Sequence, residues 1–174
     1  MRVIAGEFRS RRLKSIPGVA TRPTPDRLRE TLFDILAPRI RGARFADAYA
    51  GTGAVGIEAL SRGAAHAYFL EKNRVALEAI RENLAALGIE ARATVVTGPV
   101  ALTLGRWPAD IVFVDPPYAL EREYAAVFAV LEAGPPPLAI VQHSVHIALP
   151  AAPGLRCTRE VRQGDNVLGF YIPA

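Results

Sequence analysis

From residue 44 onward, short apolar runs alternate with longer stretches whose apolar residues recur every three or four positions, the pattern of repeated strand-helix units. "RFADAYA" predicts a strand, 53–62 a helix and "AAHAYFLE" a second strand. In "NRVALEAIRENLAALG", Leu77, Ile80, Leu84 and Leu87 share one helix face, with Asn73 placed to cap the start and Gly88 the end. "RATVV" predicts a third strand, 99–105 a short helix and "DIVFVD" a fourth strand. Tyr124, Val127, Phe128 and Leu131 mark another helix face, "GPPP" stops it, and "LAIVQH" predicts a fifth strand. "LRCTREVRQ" and "VLGFYIP" flank the turn-like "GDN" and predict an antiparallel hairpin at one sheet edge. Together these give an α/β sandwich with a mostly parallel sheet, helices on both faces and an antiparallel last strand.

Ahead of this core, "VIAGEFRSRRLKS" predicts a short hairpin and "TRPTPDRLRETLFDILAP" a helix. Thr24 is placed as its N-cap, Pro25 as its first residue and Asp26 in its first turn, with Pro38 as its stop. Leu28, Leu32, Ile35 and Leu36 form its buried stripe, which leaves Arg27 and Arg29 for other work.

Charge divides the chain at the same place. Residues 1–44 hold 11 Lys and Arg against 4 acids, whereas residues 45–174 hold 10 against 13. A front segment so basic suits a polyanion, because neutralising phosphates releases counterions; an Arg-rich solvated surface is the alternative. The division expected is a basic arm and helix over 1–43 and a catalytic domain over 44–174. No apolar run reaches the roughly 20 residues of a membrane span, and the N-terminus lacks an apolar signal-peptide centre, so a cytoplasmic protein is expected. Cys157 is the sole cysteine, and His66, His143 and His146 show no ligand spacing, so no metal is expected. His143, Cys157 and Trp107 read as ordinary packing or strand-end residues.

"DAYAGTGAVGIEAL" sets Gly51, Gly53 and Gly56 at a strand-to-helix turn, where backbone N–H groups can approach a ligand closely. Glu71 follows Gly51 by 20 residues at the end of the second strand, where a carboxylate can bind ribose hydroxyls. A dinucleotide and S-adenosylmethionine both fit this spacing. Asp47 favours the second, since it would repel a pyrophosphate but accept from a cationic amino-acid group.

"VFVDPPY" favours it too, having no role in a simple dehydrogenase. An exocyclic base amine is a poor nucleophile because its lone pair is delocalised; Asp115 and the Pro116 carbonyl can accept its N–H bonds and turn the lone pair toward a methyl donor. Pro116 and Pro117 stiffen the loop, and Tyr118 offers a stacking face for an unstacked base.

The chain resembles the class I S-adenosylmethionine-dependent amino-methyltransferases with a (D/N)PP(Y/F) signature, and more narrowly the RsmD family of 16S rRNA guanine-N2 methyltransferases. The likeness rests on "RVIAGEFRSRRL", "RPTPDRLRETLFDIL", "DAYAGTGAVGIEALSRGA", "FLEKN" and "FVDPPY". It implies a Rossmann-like methyltransferase sandwich of seven strands, and methylation of one guanine N2 in 16S rRNA or the small ribosomal subunit, with S-adenosylhomocysteine as the second product. A monomer is expected. By the same resemblance Asp47, Gly51 and Gly53 hold the methionine part and Glu71 the ribose, while Ala48, Thr52, Lys72, Thr97, Gly98 and Asp115 complete the cofactor set. Asp115, Pro116, Pro117 and Tyr118 take the target amine and base. Arg9, Arg11, Arg12 and Lys14 grip RNA phosphate, and Arg22, Thr24, Arg27 and Arg29 line the rim. One departure stands out: Gly98 and Pro99 occupy the place where such enzymes present Asp or Asn to adenine, leaving adenine to backbone groups or Thr97. Other amino-methyltransferases (DNA adenine-N6, DNA cytosine-N4, protein glutamine), an NAD-dependent oxidoreductase and a non-catalytic RNA-binding protein remain as alternatives.

Overall fold

The computed structural model describes residues 1–16, 24–117 and 121–174. Arg22 and Tyr118, both placed at the site by sequence, lie outside the described residues. Seven strands form one sheet: β1 Arg44–Ala48, β2 His66–Glu71, β3 Ala93–Thr97, β4 Ile111–Val114, β5 Leu138–Ser144, β6 Leu155–Gln163 and β7 Asn166–Pro173. Their order is β3-β2-β1-β4-β5-β7-β6. The first five run parallel, and β7 inserts antiparallel between β5 and β6. The expected hairpin is present, turning at Gly164 and Asp165 so that Gln163 pairs with Asn166.

Among the described residues, five α-helices cover the sheet: α1 Asp26–Ile40, α2 Ala54–Ser61, α3 Arg74–Leu87, α4 Val100–Thr103 and α5 Glu121–Ala133. Strand alternation splits the apolar residues into two layers. Phe45, Phe69, Phe113, Ile140 and Leu168 face α1, α2 and α3 in one cluster, which also contains Leu28, Leu32, Ile57 and Ile80. Ala46, Leu70, Val112, Val114 and Val141 face α4 and α5, packing on Tyr124, Val127, Phe128 and Leu131. The helix caps of α3 are those the sequence implies: Asn73 Oδ1 accepts from the Ala76 N–H at 3.1 Å, and Gly88 ends the helix in the left-handed region.

Two expectations for the N-terminal helix need correction. Thr24 does not cap it; Pro25 occupies the cap position without a side-chain bond, and the Thr24 hydroxyl instead turns toward Asp115. Pro38 does not stop it either, because α1 continues to Ile40. A proline there removes one bond in the last turn, and burial of Ile40 in the core offsets that loss.

The N-terminal residues form a loop closed by a single bridge, Arg2 to Arg12, rather than two strands. It is fastened to the core from below. Glu58, wholly buried on α2, accepts from the backbone N–H groups of Ile4 (2.8 Å) and Ala5 (3.0 Å) and from Arg62 Nε (2.9 Å). Ser61 donates to the Ala5 carbonyl and accepts from the Phe8 N–H, and Asn83 accepts from the Lys14 N–H. Gly6 lies so close that a Cβ there would sit 2.0 Å from the Ser61 carbonyl oxygen. Val3 and Leu13 join the same core as α1 and the sheet.

Candidate active site

Three strands that lie side by side end in the same pattern, a phenylalanine and then an acid two residues on: Phe45 and Asp47, Phe69 and Glu71, Phe113 and Asp115. Two residues in a strand return to the same face, so each acid is carried on the side where its phenylalanine is buried. The register sets Asp47 beside Phe69 on β2 and Phe113 on β4, which puts Glu71 and Asp115 one pleat further out on either side of it. The result is an arc of carboxylates at the carboxyl ends of the parallel strands, where open α/β sheets gather ligands.

These acids line a cavity of about 400 Å³, within the range of small-molecule sites. Of the residues read from sequence, Asp47, Gly51, Thr52, Glu71, Lys72, Asp115, Pro116, Pro117, Thr24 and Arg29 are brought together on its wall. Ala48, Gly53, Thr97 and Gly98 are not among its lining residues. Ala48 faces the opposite layer of the core, and the Gly53 N–H is spent on the Ala50 carbonyl. Next to Gly98, Pro99 and Val100 line the wall, which is apolar there.

Each carboxylate is held differently. Asp47, 2% exposed, accepts from the Gly56 N–H at 2.8 Å, near the start of α2. Burial pushes its pKa well above the ordinary value, against the pull of that N–H, and the neighbouring charges of Asp115 and Glu71 add to the rise. Glu71 is gripped by three backbone donors, Gly51 N–H at 2.9 Å, Lys72 N–H at 2.8 Å and Asn73 N–H at 2.9 Å. Its position is therefore fixed before any ligand arrives. Asp115 is pushed up to about 7 by burial, with the Thr24 hydroxyl, 3.3 Å from Oδ2, acting in the opposite direction.

Several lining residues carry no sequence motif. Met1, Ser15 and Ile16 bring the N-terminal loop to the cavity, and Glu123 reaches it from α5. Tyr49 stands at φ 65, a costly region for a residue with a side chain, and its hydroxyl donates to Glu123 Oε2 at 2.7 Å. That bond joins the first strand-to-helix turn to α5, a contact across 74 residues that no local pattern announces.

The basic arm divides into used and unused charges. Arg11 donates to the Ala86 carbonyl at 3.0 Å and Lys14 pairs with Glu82, so both help dock the arm on α3. Arg9, Arg12 and Arg27 are exposed on the surface. Arg29 is not a rim residue: it is 1% exposed, and its Nη2 donates to the Arg2 carbonyl at 2.8 Å and to Asp26 Oδ1 at 3.1 Å. The helical period places it on the same face as Leu32, Phe33 and Leu36, which turns it inward.

The sheet order with its reversed β7, and the acid-lined cavity at the strand ends, define a Rossmann-like methyltransferase. A family described as Conserved hypothetical protein 95 matches residues 1–172. Ribosomal RNA small subunit methyltransferase D of Escherichia coli (strain K12) is 44% identical over 120 residues, which cover 68% of this chain and 60% of that protein. YlbH of Bacillus subtilis (strain 168) is 31% identical across 98% of both chains. The solved structure of yhhF from Escherichia coli matches with a TM-score of 0.84 and 37% identity, covering 99% of this chain and 97% of that one. The chain belongs to this family, the RsmD family of methyltransferases. No described helix is long and apolar enough to cross a membrane, and the described residues contain no group of three or more His, Cys, Asp or Glu arranged to hold a metal ion.

Proposed function

We propose that this protein transfers a methyl group from S-adenosylmethionine to the exocyclic N2 amine of a guanine in 16S ribosomal RNA. The observation that carries the reading is the charge of the cavity: among the side chains of the described residues, Asp47, Glu71, Asp115 and Glu123 line it against Arg29 and Lys72. Such a wall suits a ligand of net positive charge and opposes the pyrophosphate of a dinucleotide, which weighs against the oxidoreductase alternative. S-adenosylmethionine, when bound, supplies an electrophilic methyl group on a sulfonium sulfur.

The chain's residues then have distinct tasks. Glu71, immobilised by its three N–H donors, presents an oxygen to ribose hydroxyls. Asp47 faces the cationic amino group, whose charge offsets the cost of ionising a buried acid. Asp115 and the Pro116 carbonyl accept the two N–H bonds of the target amine and hold its lone pair toward the donor. Pro116 and Pro117 limit backbone motion, so little ordering is required at each turnover. As the amine gains its methyl group it becomes acidic, and Asp115, whose pKa lies near neutrality, can take the proton. By the sequence motif, stacking on the target base is assigned to Tyr118.

In this reading the 1–43 arm and helix form the RNA-facing extension and 44–174 the catalytic domain. The exposed Arg9 and Arg12 contact phosphate, and Arg27 flanks them on α1. The names of its relatives support a ribosomal substrate, and a cytoplasmic monomer fits it. The test is transfer of a labelled methyl group to small-subunit RNA and to small-subunit particles from cells lacking the protein, followed by mapping of the modified nucleotide. Label on guanine N2 in wild type, absent in Asp115→Ala with cofactor binding retained, is the expected result. Label on DNA or protein alone, or none on either RNA substrate, refutes it.

A further inference from the structure

Among the described residues of the cavity wall, Arg29 is a buried charged side chain with donors left unpaired. Its Nη2 is anchored behind the cavity by the Arg2 carbonyl and Asp26, while Nε and Nη1 have no hydrogen-bond partner. A guanidinium keeps its charge in a protein, so these donors remain when it is buried and normally meet an acceptor. Glu58, a buried acid that acts on Arg29 through its charge, is bonded to Ile4, Ala5 and Arg62 and makes no hydrogen bond with Arg29. Burial depresses the Arg29 pKa, with Glu58 and Asp26 only partly opposing it. At 1% exposure the group is out of reach of a phosphate on the protein's outer surface; an anion must come to it through the cavity.

We propose that Arg29 receives the carboxylate of the methionine moiety of the cofactor through Nε–H or Nη1–H. This rests on the methyltransferase reading above, since that carboxylate is the sole anionic group of S-adenosylmethionine. It also completes a charge pattern. Asp47 and Arg29 both line the cavity, so the wall presents an acid for the ammonium and a base for the carboxylate of the same amino-acid end. The second arginine of "DRLRE" is thereby a cofactor-binding residue, while the first, Arg27, stays on the surface.

The test measures binding by calorimetry with three ligands: S-adenosylhomocysteine, its decarboxylated analogue, and methylthioadenosine, which lacks the whole amino-acid end. Arg29→Met keeps an unbranched apolar stem in place of the aliphatic part of the side chain and removes its donors. It should weaken S-adenosylhomocysteine about 10- to 100-fold, the range of a charge-assisted bond, and leave methylthioadenosine within about threefold of wild type. Arg29→Lys should fall between the two. Equal losses on both ligands would mean damage to the fold, and no loss on S-adenosylhomocysteine would mean no contact; either overturns the proposal. Where Arg29→Met fails to fold, wild type decides: removal of the ligand's carboxylate should weaken binding about 10-fold or more, and a loss under about threefold overturns it. Wild-type protein that binds none of the three ligands sinks the methyltransferase reading and this proposal with it; wild-type binding with an indifferent Arg29→Met sinks this proposal alone.

Discussion

Replacing Asp115 by Asn removes a charge that the fold carries at a cost. The carboxyl titrates at about 7 in the folded protein against an ordinary 3.8, because burial penalises the ionised form. A group of this kind is favourable to folding while it is protonated. Its cost is absent below pH 3.8, grows as the unfolded chain ionises, and is complete above about 7. At about 1.4 kcal/mol for each tenfold change in equilibrium, the full cost is ~4 kcal/mol; partial solvent contact at the mouth of the cavity screens this to ~2 kcal/mol. Asp115→Asn keeps the shape and the Thr24 contact and carries no charge, so it should be more stable than wild type at pH 8 by ~2 kcal/mol, with the gap closing toward pH 4. For a chain of this size that gap corresponds to roughly 4–8 °C in Tm. Urea or thermal unfolding of both proteins at several pH values between 4 and 8 measures it. Parallel stability curves, with a gap independent of pH, would refute the burial argument.

Three further outcomes are expected. Glu71→Ala should weaken S-adenosylhomocysteine binding by ~1.5–3 kcal/mol, the scale of a charge-assisted bond, and calorimetry showing unchanged affinity would remove Glu71 from the ribose site. Joint neutralisation of the exposed Arg9 and Arg12 should lower the salt slope of RNA binding by up to ~0.7 per lost contact on single strands. Neutralising Arg11, held by the Ala86 carbonyl, should change the slope less, and filter binding over a salt series that ranks them the other way would move the RNA surface elsewhere. Gly56→Ala places a methyl group 2.4 Å from Cε1 of the buried Phe69. Overpacking of this kind should destabilise the fold by ~1–3 kcal/mol, and a denaturation midpoint equal to that of wild type would show that the ring has room to yield.

Local patterns were sufficient for the sheet because each strand and helix declares itself within a few residues. Period-two and period-3.6 burial found all seven strands and the five helices to within a few positions, and Asn73 and Gly88 mark the ends of α3 by chemistry internal to one turn. The same logic failed at the N-terminal helix. Thr24 followed by Pro25 and Asp26 has the form of a cap, but the hydroxyl found Asp115, 91 residues away, and a partner at that distance leaves no trace in a local motif.

The arm shows the limit most clearly. Its positive charge is plain from composition, and charge alone gives every arginine the same meaning. Packing separates them: Arg11 and Lys14 are spent on α3, Arg29 is drawn into the core by its place on the buried face of α1, and Arg9, Arg12 and Arg27 stay at the surface. The sequence by itself determined the layered α/β architecture, the Gly-rich turn and the acids at the ends of the first, second and fourth strands, since each depends on short-range periodicity. Only the tertiary structure decided that Tyr49 meets Glu123, that Met1 and Ile16 wall the cavity, and which arginines face solvent. Those outcomes depend on the register of distant segments and on which buried charge finds a partner, and both are settled by three-dimensional packing.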